Sequence, residues 1–393
     1  MLEPHPLRTA LALGLAAAIS LGLARFAYAL LLPSMRADLG WSYFTAGAMN
    51  TVNAAGYLVG ALAAPRVLAR WDARQVMLLG SAFAALLLAA HGLVRSDASL
   101  YTLRLLCGVA SAAGFVSGGL LAARLAAAPG VRPGLVLGLY YGGTGVGIVA
   151  ATLGTPGLAW QPSWAGLGVL AALATWLMAR GTRSLRGSAA GPQAGVTAPR
   201  LRMALAPFAP ALAGYALFGL GYIGYMTFSV TLLREQGLGS GVVTAFYALL
   251  GLGVIASSWL WAGLLQRQRG GVPMALLNTL LALATALPVF SRSLPAVFTS
   301  GALFGCVFLS VVASTTALVR HNAPPAAWAS GISAFTIVFA GGQILGPSLV
   351  GLLADGPGGL SRGLLLSAGA LLTGAALAAL QKPLWLELHK PSG

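Results

Sequence analysis

Acidic side chains are scarce in this 393-residue chain: Asp and Glu together number 7, against 23 Lys and Arg. They are Glu3, Asp38, Asp72, Asp97, Glu235, Asp355 and Glu387, and none falls deep inside an apolar stretch. Charge of either sign is rare, at 8% of residues, where a soluble globular domain carries about a quarter. The two cysteines, Cys107 and Cys306, form no disulfide framework and no ligand spacing for a metal. Histidine appears four times and never as H-E-x-x-H, and neither a G-x-S-x-G elbow nor a Walker loop is present. These absences argue against hydrolytic and nucleotide-driven enzymes and against a resident metal or cofactor. The chain is expected not to be an enzyme.

Apolar sequence fills the space. Hydrophobic residues make up 58% of the chain, mean hydropathy is +0.84, and runs long enough to cross a bilayer recur from Leu11 to Leu380. Breaks at Gly, Pro, Ser and Arg clusters divide them into twelve helices. These are expected near 10–35, 43–65, 75–94, 98–123, 133–156, 160–180, 205–233, 240–265, 272–291, 294–319, 327–353 and 360–381. The runs are continuously Ala-, Leu- and Gly-rich instead of alternating, which excludes a membrane β-barrel. The first run follows Arg8 like a signal peptide, but the later spans favour an uncleaved first helix.

Cations sort by side. With these spans, sixteen of the 23 Lys and Arg fall on one face and five on the other, and Arg25 and Arg104 lie within helices. The richer face is expected to be cytoplasmic, with both termini on it, in a bacterial inner membrane. The formal charge of +16 is therefore a topology signal spread over short loops, not a nucleic-acid surface. Residues 181–203 are rich in Gly, Pro, Ser and Arg and read as a linker between a bundle at 1–180 and a second at 204–393. An internal repeat agrees. LGLARFAYALLL at 21–32 aligns with FGLGYIGYMTFS at 218–229, matching Gly22 to Gly219, Tyr28 to Tyr225 and Arg25 to Tyr222. YYGGTGVGI at 140–148 aligns with FAGGQILGP at 339–347 at nearly the same offset.

With these features the chain resembles the major facilitator superfamily. Arg104 to Gly108 fits that superfamily's R-x-x-x-G pattern in the fourth helix, and the glycines of helix five resemble its glycine-rich motif. The ARFAY stretch, LPSMRADLG and GYIGYMTF look like the bacterial YbfB/YjiJ-like branch. The resemblance implies an all-α fold of two pseudo-symmetric six-helix bundles, with helices one, four, seven and ten lining a central cavity. One departure stands out. The superfamily's loop after helix two reads G-x-x-x-D-R-x-G-R-R, whereas here it reads GALAAPRVLARWDARQ, with Ala64 where the acid belongs. Arg70, Asp72 and Arg74 keep that loop charged and are its candidate gate residues. A similar G-x-x-x-D-x-x-G string at Gly351 to Gly358 falls on the other face and is not assigned to the same gate.

Arg25 is the leading site residue. An Arg at a helix centre costs about 2.5–3.5 kcal/mol in a membrane, and Leu and Ala neighbours do not repay that. It should face protein or water, where its planar fork suits a carboxylate; the alternative is a structural arginine bonded to helix carbonyls. Tyr28 follows at i+3, and Tyr222 and Tyr225 repeat the spacing in helix seven; these phenols either bind substrate or pack. Asn53 and Arg104 are further substrate candidates that also suit interhelical bonding. Gly138, Gly142 and Gly147 in helix five, and Gly342, Gly346 and Pro347 in helix eleven, are candidate conformational positions, where close packing is the competing role. His91 reads as an interface residue.

The expected function is secondary or facilitated transport of a small organic solute, preferably an anion, across a lipid bilayer by alternating access. A coupling proton or counter-anion is a further expected partner, because no intramembrane carboxylate is present to relay protons. An exporter of drugs or aromatic compounds is the alternative reading, and a non-transporting membrane sensor a remote one.

Overall fold

A computed structural model describes residues 6–155, 158–185 and 203–384, and among them helices are joined by short turns with no strand. Twelve long helices run up and down. They are α1 Pro6–Leu39, α2 Tyr43–Leu68, α3 Ala73–His91, α4 Asp97–Ala126, α5 Pro133–Gly154 and α6 Trp160–Gly181. The second set is α7 Ala209–Glu235, α8 Ser240–Arg267, α9 Val272–Phe290, α10 Leu294–Asn322, α11 Trp328–Ala354 and α12 Gly359–Ala379. Eleven are long and apolar enough to cross a membrane; α2 is long enough, but Asn50, Asn53 and its threonines dilute its hydropathy. Several helices outrun the expected spans, as α4 and α10 do past Arg124 and Arg320. Their charged last turns stay helical beyond the apolar segment.

Local chemistry sets the ends. Ser42, Asp72 and Ser96 cap α2, α3 and α4 through their side-chain oxygens. Gly40 closes α1 at φ +66, a left-handed conformation that glycine adopts without a Cβ penalty. The linker expected at 181–203 lies mostly outside the described residues, since 186–202 are not among them.

Packing repeats between the halves. In the first, α2 packs on α4, α3 on α4 and α6, and α1 on α5. In the second, α8 packs on α10, α9 on α10 and α12, and α7 on α11. The repeated glycines serve these equivalent seams. A Cβ on Gly22 would stand 2.5 Å from the Gly147 Cα, and one on Gly219 2.6 Å from the Phe339 carbonyl. The main seams between the halves are α2 with α11, α5 with α8, and α1 with α7. The end bearing Pro6 and Leu384 is here called the near end; the end bearing the α1–α2 turn is the far end.

Candidate functional site

Arg25 sits where α1 widens. Residues Ala18–Phe26 form a π-helical segment, and the Ala27 N–H donates to the Gly22 carbonyl at 2.9 Å, five residues back. Such wide turns cost hydrogen-bond geometry and concentrate at functional sites. Here the wide turn adjoins the Gly22–Gly147 contact that draws α5 close to α1. Arg25 itself is 4% exposed. Its Nε and Nη2 are buried with no hydrogen-bond partner, so two donors of a fixed cation are left unanswered. Its guanidinium stands 5.9 Å from the centre of the Tyr57 ring on α2, and Tyr57 and Tyr222 both lie within its electrostatic reach.

Rings extend outward from Arg25 in two directions. Tyr57 meets Phe115 of α4 at 6.4 Å, and Phe115 meets Tyr141 of α5 at 6.2 Å. On the opposite half, Tyr222 of α7 stacks on Phe218, Phe308 and Phe339, with ring centres 4.8, 5.9 and 5.6 Å away. Its hydroxyl donates to Gln343 Oε1 at 2.7 Å. Tyr57, Phe115 and Phe339 are half-buried, and Tyr141 is 43% exposed. The sequence reading missed Tyr57, Phe115 and Tyr141. No local pattern separates these rings from packing aromatics, and only the packing of α2, α4 and α5 links them in a row that starts beside Arg25.

Arg104 presents the opposite case. It is 1% exposed, and all three of its nitrogens are bonded: Nη1 to the Ala24 carbonyl at 2.9 Å, Nη2 to Asn50 Oδ1 at 3.2 Å, and Nε to the Met49 carbonyl at 3.4 Å. Its plane lies 4.7 Å from the Tyr28 ring, and the Tyr28 hydroxyl donates to the Ala46 carbonyl at 2.8 Å. The i+3 spacing predicts Tyr28 beside Arg25; the π-helical phase ends between the two and leaves Tyr28 against Arg104 instead. Asn53 donates to the Arg104 carbonyl at 3.0 Å. Tyr225 stacks on Phe304 at 4.1 Å and shares a 2.5 Å hydrogen bond with Ser300, inside the second half. His91, expected at the interface, is fully buried and stacked 4.6 Å from the Trp164 ring. Its Nδ1–H donates to the Leu87 carbonyl at 2.6 Å.

The hydrogen bonds between the halves gather toward the far end. Asp355, just past α11, accepts from the Tyr43 and Phe44 amides at 2.8 and 2.9 Å and so caps α2 from the opposite half. Arg36 lies 3.5 Å from Glu235 and covers the Tyr43 ring at 3.7 Å; the Tyr43 hydroxyl also donates to Glu235. Deeper in, Thr51 bonds the Ile344 carbonyl at 2.7 Å and Ser348 Oγ at 2.9 Å. Asn50 donates to Thr227 at 2.7 Å, and Tyr247 to the Phe26 carbonyl at 2.7 Å. The Gly351 to Gly358 string, left unassigned by the sequence, thus supplies a cross-half contact through Asp355.

The charged gate candidates stand at the near end. Asp72 caps α3 through the Arg74 and Gln75 amides. Arg74 donates to Ala179 and Thr182 at the end of α6, which ties α3 to α6, and Arg70 is exposed. Gly138 and Gly142 face Trp259 and Ile255 of α8 across the halves, whereas Gly147 faces Ala18 of α1. Gly342 and Gly346 face α7, and Pro347 faces Gly47 of α2. Gly145 and Gly251, which the sequence did not single out, meet at the α5–α8 seam. An apolar groove of 380 Å³ among Val67, Phe83 and Leu106 holds none of the candidate residues. Among the described residues, no cluster of His, Cys, Asp or Glu could hold a metal ion.

A family model described as "Uncharacterised MFS-type transporter YbfB" matches residues 17–379. No curated protein matches the chain. Among solved structures, a bacterial homolog of the human lysosomal transporter Spinster, inward-facing and unoccupied, superposes with a TM-score of 0.73 at 16% identity over 100% of both chains. The nucleoside transporter NupG superposes with a TM-score of 0.70 at 15% identity, over 94% of this chain and 98% of that one. At these identities the likeness is one of fold.

Proposed function

The chain belongs to the YbfB-like transporters of the major facilitator superfamily, and from that premise we propose that it carries a small organic anion across a membrane by alternating access. The observation that carries this reading is the pair of buried, unpartnered donors on Arg25. A guanidinium left in this state is costly in a membrane. An oxyanion accepting from Nε and Nη2 together would offset that cost, because paired charge-assisted hydrogen bonds are among the strong ones. Arg104 is assigned to holding α1, α2 and α4 together, with Asn53 and Tyr28 in support, because its own donors are occupied.

In this reading the two moving bodies are residues 1–180 and 204–393, joined by a linker at 181–203. The far-end contacts of Arg36, Tyr43, Glu235 and Asp355 hold one state closed. The near end faces the cytoplasm of a bacterial inner membrane, by the excess of Lys and Arg there. A proton carried with the substrate, or an exchanged anion, supplies the driving force. The chain acts as a carrier and not as an enzyme.

A second reading is an exporter of uncharged aromatic compounds, favoured by the stack of Phe218, Tyr222, Phe308 and Phe339. Uptake of labelled organic anions into proteoliposomes separates the two. Arg25→Gln is expected to abolish anion uptake while Arg25→Lys keeps part of it. Undiminished anion uptake by a folded Arg25→Gln protein would overturn the leading reading.

A further inference from the structure

The surroundings of Arg25 restrict the anion further. We propose that the substrate class is a monocarboxylate with a flat, aromatic or similarly planar apolar body and no amine, its carboxylate on Arg25 and its body among the Tyr57, Phe115, Tyr141, Tyr222 and Phe339 rings. This deepens the anion-carrier reading and rests on it.

Three observations carry the proposal. The first is charge. Three guanidinium groups are buried in the first half, but Arg74 is spent on Ala179 and Thr182 at the near end and the nitrogens of Arg104 on Ala24, Met49 and Asn50, while Arg25 keeps two donors without partners. One free cation balances one negative charge; a dianion would carry its second carboxylate into a region with no second free guanidinium. The second is the lack of acceptors for an amine. The described acids stand at helix ends: Asp38, Asp97, Glu235 and Asp355 bond Trp160, Trp41, Tyr43 and the α2 amides toward the far end, and Asp72 caps α3 at the near end. Gln343 Oε1, the amide acceptor beside Tyr222, already takes that residue's hydroxyl. An ammonium group would be buried beside a fixed cation with no carboxylate to balance it, which is strongly unfavourable. The third is shape. The Tyr57 ring stands 5.9 Å from the guanidinium, and the rings beyond it come from both halves: Phe115 and Tyr141 on one side, Tyr222 and Phe339 on the other. Stacked and edge-on ring contacts reward a planar partner beyond its buried area.

The test is a binding titration on the purified full-length protein in detergent, with matched probes. Benzoate, cinnamate and 2-naphthoate are the aromatic monocarboxylates. Benzamide removes the charge, acetate the ring, phthalate adds a second charge, and phenylalanine against 3-phenylpropanoate adds an amine. The expected result is that at least one aromatic monocarboxylate binds about tenfold or more tightly than its amide, than acetate and than phthalate, as a charge-assisted hydrogen-bonded pair implies. 3-Phenylpropanoate should likewise exceed phenylalanine. Arg25→Gln should remove the preference for benzoate over benzamide, and Arg25→Lys should retain part of it. If acetate or phthalate binds as well as every ring compound, and Arg25→Gln abolishes that binding, the substrate class falls while the anion reading stands. If benzamide matches benzoate and Arg25→Gln changes nothing, both fall. Failure of all three aromatic monocarboxylates to bind a protein of undisturbed melting temperature also overturns the proposal.

Discussion

Two buried guanidinium groups, those of Arg25 and Arg104, lie within the spans of one half, and they differ in what meets their donors. Arg104 binds the Ala24 and Met49 carbonyls and Asn50, so it fastens α4 to α1 and α2. Arg25 carries the same charge into the same half with Nε and Nη2 unmet. The two should respond oppositely to removal. Arg104→Leu strips partners from a buried network and is expected to cost about 1–3 kcal/mol, read as a lower melting temperature in detergent. Arg25→Leu removes an uncompensated charge and is expected to raise the ligand-free melting temperature, since strain of this kind is kept for function at the expense of stability. A lower melting temperature for Arg25→Leu would mark Arg25 as a structural residue. Arg25 was legible in the sequence because a permanent charge amid Leu and Ala has no local explanation. The role of Arg104 was not, because its partners Ala24 and Asn50 lie 80 and 54 residues away.

At the scale of the helices, one end of α2 is finished by a residue from the other half. The first amides of any helix lack internal partners and present the positive end of its dipole. Those of Tyr43 and Phe44 are met by the Asp355 carboxylate, 312 and 311 residues away. In the rocking cycle proposed above, closing the far end would complete a helix terminus, and opening it would expose one. Asp355→Asn keeps the side chain's shape but loses the charge and one acceptor. Amide hydrogen exchange at Tyr43 and Phe44 is expected to speed up by about fivefold, the size of a lost cap of about 1 kcal/mol. Unchanged exchange at both amides would show that the contact contributes nothing to closure. The sequence reading sought the gate in the loop after α2, where Arg70, Asp72 and Arg74 stand. Asp72 proved a local cap and Arg74 a tie to α6, while the cross-half acid sat in the string after α11. Caps within one hairpin leave a short-range signature; a cap lent across the molecule leaves none.

For the molecule as a whole, the division into repeated halves was readable from the Gly22–Gly219 and Gly143–Gly342 correspondences, because each seam needs glycine where backbones touch. Which helices join the halves was not, since the sequence patterns of α2, α5, α8 and α11 do not name their partners. The cross-half hydrogen bonds described above all lie toward the far end, and two of them join Thr51 of α2 to α11. There Thr51 Oγ1 and Ser348 Oγ stand 2.9 Å apart, close enough for a pair of cysteines to bridge without moving the backbone far. In a carrier that works by rocking, that seam must part in every cycle. The double substitution Thr51→Cys with Ser348→Cys should transport when reduced, lose uptake when oxidised and regain it on reduction. Binding at Arg25 should survive oxidation, because the bridge holds one state and leaves the site intact. Cys107 and Cys306 lie on α4 and α10, away from this seam, and serve as the background control. Sustained uptake by a fully bridged protein would mean that solute crosses without α2 and α11 separating, and the rocking mechanism would have to be given up.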